Sequence, residues 1–282
     1  MFYLNSGNES ISWVAGMASI QFSVISLLII MLLFSLSSSN SSAIQTTPDN
    51  PILLPTDRVS GGWRGVDLYC ESWRFTVETN DAGSWIRIPE KCVDFVESYI
   101  TGDWYRMESE AVADDAAAYA KSVNISGNGK DAWIFDIDET LLSNVPYYAI
   151  HGFGAEIFDE RSFNLWVDLA EAPALPASLR LYKELEELGF TIILLTGRDE
   201  SQRNATESNL LYSGYSNWER LILRQNNDQG KPATIYKSER RKALEDEGYK
   251  IHGNSGDQWS DLTGFSVAKR SFKLPNPLYF IS

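Results

Sequence analysis

Short apolar runs that alternate with helical segments are the feature of this 282-residue chain that most restricts its fold. Residues 132–135 and 191–195 are almost wholly apolar, which is typical of strands buried on both faces of a parallel sheet. Two further runs, 220–223 and 249–252, predict additional strands. The helical segments between these strands are 173–189, 201–212 and 238–247. This alternation predicts an α/β fold with a Rossmann-like parallel sheet flanked by helices.

Two other parts of the sequence read as helical. Residues 70–123 are mostly helical in pattern, with an Ala-rich stretch that suits a solvated helix. Residues 146–172 are rich in aromatic side chains and predict a small helical cap or lobe. These aromatics either pack that lobe or cover a site, and in the second case Tyr147 and Phe153 would contact substrate.

A pair of acids directly follows the first predicted strand. Asp136 and Asp138 are separated by one residue at the end of the run 132–135. At a strand end, one carboxylate can attack phosphorus while the other protonates the leaving oxygen. An isolated Asp-x-Asp is more often an acidic turn, so this interpretation needs support from elsewhere in the chain.

Polar residues after the second strand and near a later helix give part of that support. The hydroxyl of Thr196 and the loop amides at Gly197 suit a phosphoryl oxygen. Arg198 either binds substrate or pairs with an acid on the following helix. The amine of Lys237 is a point charge that suits a phosphate and would restrain the carboxylate of a nucleophile.

A second acid pair follows the fourth strand. Asp257 and Asp261 lie in a Gly-rich stretch and offer the hard oxygen ligands that Mg²⁺ prefers. One of them would bind the metal, and the other would lie beside it or hold Lys237. Because ligands of open parallel sheets bind beyond the carboxyl ends of the strands, we expect all these motifs to meet in one site.

As a set, these motifs resemble those of the haloacid dehalogenase superfamily of phosphohydrolases. The set comprises Asp-x-Asp-x-Thr at 136–140, Thr-Gly-Arg at 196–198, Lys237 and Gly-Asp-x-x-x-Asp at 256–261. Three further segments resemble the plant acid phosphatases of the class B type, a group that includes the vegetative storage proteins. They are 70–74, 144–154 and 172–176, and the similarity runs from about residue 60 to residue 282.

This resemblance implies a Mg²⁺-dependent acid phosphatase that hydrolyses small phosphate monoesters through an aspartyl-phosphate. It implies that Asp136 is the nucleophile and Asp138 the acid and base. The metal would be bound by Asp136, the Asp138 carbonyl and Asp257. Phosphate would be bound by Thr196, Gly197 and Lys237, with supporting roles for Asp261 and Arg198. It also implies a homodimer.

Three alternatives stay open at this point. Some storage relatives lack the nucleophilic aspartate, so a storage protein with little catalytic role is the first, although this chain keeps Asp136. A phosphotransferase would use the same covalent intermediate but pass the phosphoryl group to an alcohol. A dehalogenase is less favoured, because Asp138 suits a leaving alcohol.

The first 50 residues differ in composition from the remainder. Residues 14–36 carry no charge and precede a small polar run, which predicts a cleaved secretory signal within 1–43. The alternative is a membrane anchor formed by 14–36. A Pro- and Thr-rich linker at 44–60 then leads to a phosphatase domain at 61–282. We therefore expect a protein of the secretory pathway, extracellular or vacuolar, that meets a membrane only through an uncleaved first segment.

The net charge bears on the partners of the protein, and its cysteines and sequons bear on its location. The formal net charge of −14 disfavours nucleic acid as a partner. Cys70 and Cys92 would form one disulfide in an oxidising compartment, and the alternative is two buried thiols. Sequons at Asn124 and Asn204 are candidate glycosylation sites.

Overall fold

The structure is a computed structural model that describes residues 62–83 and 87–281. The predicted signal or anchor segment at 1–43 and the linker at 44–60 lie outside these residues. In the described part of the chain, no helix combines the length and the apolar character needed to cross a bilayer.

The centre of the fold is a parallel sheet of five strands in the order β3-β2-β1-β4-β5. The strands are β1 (Asp131–Phe135), β2 (Thr191–Asp199), β3 (Arg220–Arg224), β4 (Lys250–Gly256) and β5 (Arg270–Lys273). This order is that of a Rossmann-like sheet, and the direction of winding reverses between β1 and β4. The predicted fold class is therefore confirmed.

Helices cover both faces of the sheet and build a lobe at one end. They are α1 (Gly62–Glu78), α2 (Val93–Ile100), α3 (Asp103–Ser122), α4 (Val145–Ala149), α5 (Glu160–Leu169), α6 (Pro176–Glu187), α7 (Arg203–Tyr212), α8 (Ala233–Asp246) and α9 (Trp259–Leu262). Short 3₁₀ turns lie at Glu90–Cys92, Gly152–Gly154, Glu200–Gln202 and Asn226–Asp228.

The apolar runs become strands because each can bury side chains on both faces. In β1, Trp133 and Phe135 enter the core beneath α3, α6 and α7, whereas Ala132 and Ile134 enter the core beneath α8. Successive side chains of a strand point to opposite faces, so an unbroken apolar run is required here. β1 is therefore packed between two cores at the centre of the sheet.

A third core forms the helical lobe from separate stretches of sequence. It joins side chains of α1 and α2 to Tyr147, Tyr148 and Phe153 from the inserted stretch after β1, and Leu278 completes it. Cys70 and Cys92 form a disulfide that ties α1 to the turn before α2. The predicted bridge is confirmed, and a loop of this size stabilises the fold by roughly 3 kcal/mol in the chain-entropy account.

Three boundaries differ from the sequence predictions. Helix α8 begins at Ala233, directly after Pro232 and five residues before the predicted start. Strand β4 continues to Gly256, four residues beyond the predicted end at residue 252. A side chain at Gly253 would collide with the Trp133 ring, so small residues are required at that point of the strand. Strand β5 was not predicted, because Phe272 is its one buried residue.

A buried acid at the start of β1 gives the fold a measurable pH dependence. Asp131 accepts hydrogen bonds from Ser126 Oγ at 2.5 Å, Ser126 N at 2.7 Å and His252 Nε2 at 2.8 Å. The hydrogen bond from the Ser126 hydroxyl contributes most to lowering the pKa of Asp131 from 3.8 to about 2. The contribution of Asp131 to stability is therefore complete above about pH 4 and is lost as the pH falls toward 2.

Replacing this acid should expose that window. We expect Asp131→Asn to lower the free energy of unfolding by about 1–2 kcal/mol at pH 7, because a buried charged acceptor is lost. Urea titrations of both proteins should show the difference shrinking between pH 4 and pH 2. A difference that is independent of pH would contradict the assignment.

Candidate active site

Asp136 lies at the carboxyl end of β1, where the winding of the sheet reverses. Its N–H donates to the carbonyl of Ser255 at the end of β4 at 3.0 Å, and the residue is 6% exposed. Burial is the main cause that raises the pKa of Asp136 well above its ordinary value. Lys237 opposes this effect, while the neighbouring acids Asp261 and Asp257 add to it. The site therefore concentrates negative charge that a cation would relieve.

Lys237 reaches this point from the second turn of α8. Its Nζ donates to Asp136 Oδ1 at 2.5 Å and also to Asp261 Oδ1, and all three side chains are buried. Burial disfavours the charged amine, but Asp136 and Asp261 outweigh it and raise the pKa of Lys237. The amine is therefore a fixed positive charge against the carboxylate of Asp136.

Asp257 follows β4 and is held at both of its carboxylate oxygens. Oδ1 accepts from Thr140 Oγ1 at 3.2 Å, and Oδ2 accepts from Gln258 Nε2 and Asn276 Nδ2, each at 2.7 Å. Burial, and then the charges of Asp261 and Glu139, raise the pKa of Asp257 to about 7. A carboxylate must be deprotonated to bind a metal. A cation that binds Asp257 near neutral pH would therefore displace a proton from it.

Asp136, Asp257 and Asp261 form a cluster that could hold a metal. Each brings a carboxylate oxygen within 4.8 Å of the others, and all three are buried. Oxygen ligands of this kind suit Mg²⁺. Asp261 already accepts from Lys237 and from the N–H of Gln258 at 2.9 Å. Its position therefore agrees with the predicted supporting role, in which it holds Lys237.

Asp138 forms an ion pair with Arg198 at the side of the cluster. Arg198 Nη2 lies 2.7 Å from Asp138 Oδ1, and Asn144 Nδ2 donates to the same oxygen at 2.9 Å. Burial alone would raise the pKa of Asp138, but the charge and hydrogen bonds of Arg198 lower it. The partner of Arg198 is thus the acid pair itself rather than an acid on the following helix. That helix, α7, supplies only the hydroxyl of Thr206, at 3.1 Å from Nη1.

The two predicted phosphate-binding residues of β2 differ in exposure to solvent. Thr196 lies within β2 and is completely buried, where its Oγ1 accepts from the N–H of Arg198 at 3.1 Å. Gly197 is exposed and lines the cavity above Asp136. Gly197 therefore borders the cavity, whereas Thr196 does not line it and its hydroxyl instead holds the backbone of Arg198.

A cavity of about 560 Å³ opens above these groups. Asp136, Asp138, Lys237 and Asp257 contribute to its lining. The aromatic side chains that line it are Tyr147, Tyr148, Phe158, Phe163, Tyr279 and Phe280. Tyr147 lines the cavity and also packs in the core of the lobe, so its contact with substrate stays a prediction. Phe153 is buried in the core of the lobe and does not line the cavity, so its predicted contact with substrate finds no support.

Sequence reasoning missed several residues that support the acid pair. Glu139 is buried in a left-handed conformation (φ 54°), and its Oε2 accepts from Tyr279 Oη at 2.6 Å and from Asn144 Nδ2 at 3.1 Å. Burial, followed by the charge of Asp138, raises the pKa of Glu139 to about 7. The acidic motif could have drawn attention to Glu139. No sequence signal marked Tyr279 or Asn276.

A parallel 3-2-1-4-5 sheet with a carboxylate cluster at its reversal point has the architecture of the haloacid dehalogenase superfamily. The model of one family in it, described as HAD superfamily, subfamily IIIB (acid phosphatase), matches residues 58–282. The chain belongs to this acid phosphatase family.

Individual relatives agree with this assignment. Acid phosphatase 1 of Solanum lycopersicum is 55% identical over 215 residues, which cover 76% of this chain and 84% of that protein. Vegetative storage protein 2 of Arabidopsis thaliana is 42% identical over 214 residues, covering 75% and 80%. Among solved structures, the class C acid phosphatase from Bacillus anthracis shares the fold. It has a TM-score of 0.57 at 24% identity and covers 68% of this chain and 86% of that one.

Proposed function

We propose that this acid phosphatase hydrolyses small phosphate monoesters, depends on Mg²⁺ and uses Asp136 as its nucleophile. The observation that carries the proposal is the position of Asp136. Its carboxylate lines the aromatic cavity, with Lys237 Nζ at 2.5 Å from Asp136 Oδ1 and Asp138 two residues along the chain. Asp136 is also the residue whose presence separates an expected enzyme from a storage relative.

The first half-reaction transfers the phosphoryl group to the protein. An oxygen of Asp136 attacks phosphorus in line, and the bond from phosphorus to the ester oxygen breaks. Asp138 must be protonated for this step, against the effect of Arg198 on its pKa, and it donates that proton to the ester oxygen, so the product leaves as an alcohol. The second half-reaction reverses the role of Asp138, which takes a proton from water as the water attacks phosphorus. Inorganic phosphate is released and Asp136 is regenerated.

Charge placement supplies most of the rate enhancement in a reaction of this kind. Lys237 and the amides around Gly197 would bind the phosphoryl oxygens, with Thr196 holding that loop. Arg198 fixes the orientation of Asp138 through its ion pair. The aromatic wall, including Tyr147, would contact an apolar leaving group.

Asp136, the backbone carbonyl of Asp138 and Asp257 would hold the magnesium ion. When bound, the ion supplies positive charge that offsets the repulsion between the phosphate and the carboxylate nucleophile. The crowded carboxylates and the raised pKa values of Asp136 and Asp257 support a cation at this position.

A panel of phosphate monoesters tests the function directly. We expect the purified protein to release phosphate from the panel, to lose this activity with EDTA and to regain it with excess Mg²⁺. Esters with aromatic leaving groups should be preferred to aliphatic ones by about tenfold or more in kcat/KM, because the aromatic wall favours apolar groups by 1–3 kcal/mol. Full activity in EDTA would contradict the metal dependence, and no activity on any ester would favour a storage role. Adding glycerol as an acceptor and analysing the products would detect phosphotransfer.

The structure also bears on the compartment. A disulfide forms and persists in oxidising surroundings, which supports a secretory route to the vacuole or the cell exterior. Asn124 and Asn204 are both exposed, so both sequons are accessible for glycosylation. A relative described as Stem 28 kDa glycoprotein, from Glycine max, is 44% identical over 222 residues.

A further inference from the structure

The 274–281 segment, which follows β5, is largely buried although it forms neither helix nor strand. Residues 274–278 are all buried, and Leu278 enters the core of the lobe. Buried irregular backbone is costly unless each of its polar groups finds a partner. The partners of this segment are therefore informative.

Asn276 makes the contacts that fix the segment. Its N–H donates to Glu78 Oε1 at 2.8 Å, and its Oδ1 accepts from the N–H of Leu278 at 2.8 Å. Its Nδ2 donates to Asp257 Oδ2 at 2.7 Å, across 19 positions of sequence. The side chain of Asn276 thus has two roles. Its Oδ1 accepts the hydrogen bond that forms a local turn, and its Nδ2 donates to a carboxylate of the acidic cluster.

The second donor to the same oxygen also depends on this segment. Gln258 Nε2 donates to Asp257 Oδ2 at 2.7 Å and to the carbonyl of Tyr279 at 3.3 Å. Gln258 Oε1 accepts from the N–H of Ile281 at 2.9 Å. Both side-chain amides that hold Oδ2 are therefore fixed by the 274–281 segment.

We propose that Asn276 is a positioning residue that orients Asp257 for the metal. This inference rests on the proposed function, since it takes Mg²⁺ as the ion. Asn276 restrains the Asp257 carboxylate, which has an oxygen within 4.8 Å of oxygens from Asp136 and Asp261. Partners that orient a metal ligand commonly change metal affinity by 10–100-fold when they are replaced. The 274–281 segment thereby supports the metal site, because it holds the side chains that orient Asp257.

The two tasks of Asn276 can be separated by substitution. Asn276→Ser keeps an oxygen that can accept from the N–H of Leu278, but its side chain is too short to reach Asp257 as well. Asn276→Ala removes both contacts. The matched control is Asn209→Ala, which removes a buried asparagine whose side-chain hydrogen bonds go to Ala172 and Ser213 rather than to the acidic cluster.

Isothermal titration of the full chain with Mg²⁺ alone, in the absence of substrate, measures the effect. We expect Asn276→Ser and Asn276→Ala to raise the Kd for Mg²⁺ by 10–100-fold, while Asn209→Ala leaves it within about twofold of wild type. Circular dichroism and thermal melting identify which variants are folded. Should Asn276→Ala fail to fold, Asn276→Ser decides the question, because it keeps the turn.

The possible failures are distinguishable. Binding by Asn276→Ser with the wild-type Kd would overturn the inference while leaving the proposed function intact. Equal weakening in Asn209→Ala would also overturn it, because the cause would then be a general loss of stability. A wild-type protein that binds no Mg²⁺ would overturn the magnesium assignment itself, and this inference with it.

Discussion

Asp136→Asn is expected to reduce kcat by about 10⁴-fold or more, because the variant lacks the oxygen nucleophile that forms the covalent intermediate. The fold should survive the change. Asparagine has nearly the same shape as aspartate, and Lys237 keeps its ion pair with Asp261. Single-turnover assays with an aryl phosphate, together with thermal melting, measure both effects.

Asp131→Asn provides a matched control on the same strand. Asp131 begins β1 and Asp136 directly follows it, so the two substitutions are chemically identical at opposite ends of one element. We expect Asp131→Asn to lower stability without changing kcat, and Asp136→Asn to lower kcat without unfolding the protein. Retention of metal-dependent turnover by Asp136→Asn would show that another residue is the nucleophile.

Lys237→Met is expected to impair both the reaction and the fold. The variant loses the positive charge beside the phosphoryl group, which should lower kcat/KM by about 10²–10³-fold. It also leaves Asp136 and Asp261 buried without their shared partner, and breaking a buried pair in this way costs about 3–5 kcal/mol. Kinetics with saturating Mg²⁺ and urea unfolding without it would measure the two losses separately.

Lys242→Met on the same helix is the control for this substitution. The Lys242 side chain is half exposed and pairs with Asp246 on the surface of α8. Exposed pairs contribute about 0–1 kcal/mol, so this variant should resemble wild type in both measurements. If Lys237→Met kept wild-type kcat/KM, a role for its charge in binding the phosphoryl group would be excluded.

The sheet was predictable from sequence because its central strands are buried on both faces. The buried runs 132–135 of β1 and 192–195 of β2 are apolar at every position, and such runs are visible without any alignment. The parallel arrangement then placed Asp136 and Asp257 at one edge by geometry alone. β5 escaped prediction for the converse reason, since one buried side chain, Phe272, leaves no periodic pattern.

Tertiary partners were less accessible to sequence reasoning. Arg198 was expected to meet substrate or an acid nearby in sequence, but it meets Asp138 across 60 positions. Asn276 and Tyr279 support the site from a stretch with no recognisable motif. These contacts follow from the path of the chain after β5, which depends on the packing of Leu278 into the lobe rather than on local preference.

The core of the lobe and the two cores of the sheet draw on different sets of side chains. The nucleophile and its lysine are fixed by the sheet cores, whereas much of the aromatic wall that meets the leaving group rests on the lobe. Substitutions in the lobe can therefore change which esters enter without displacing Asp136. The fold thus separates the surface that meets the leaving group from the carboxylate that attacks phosphorus.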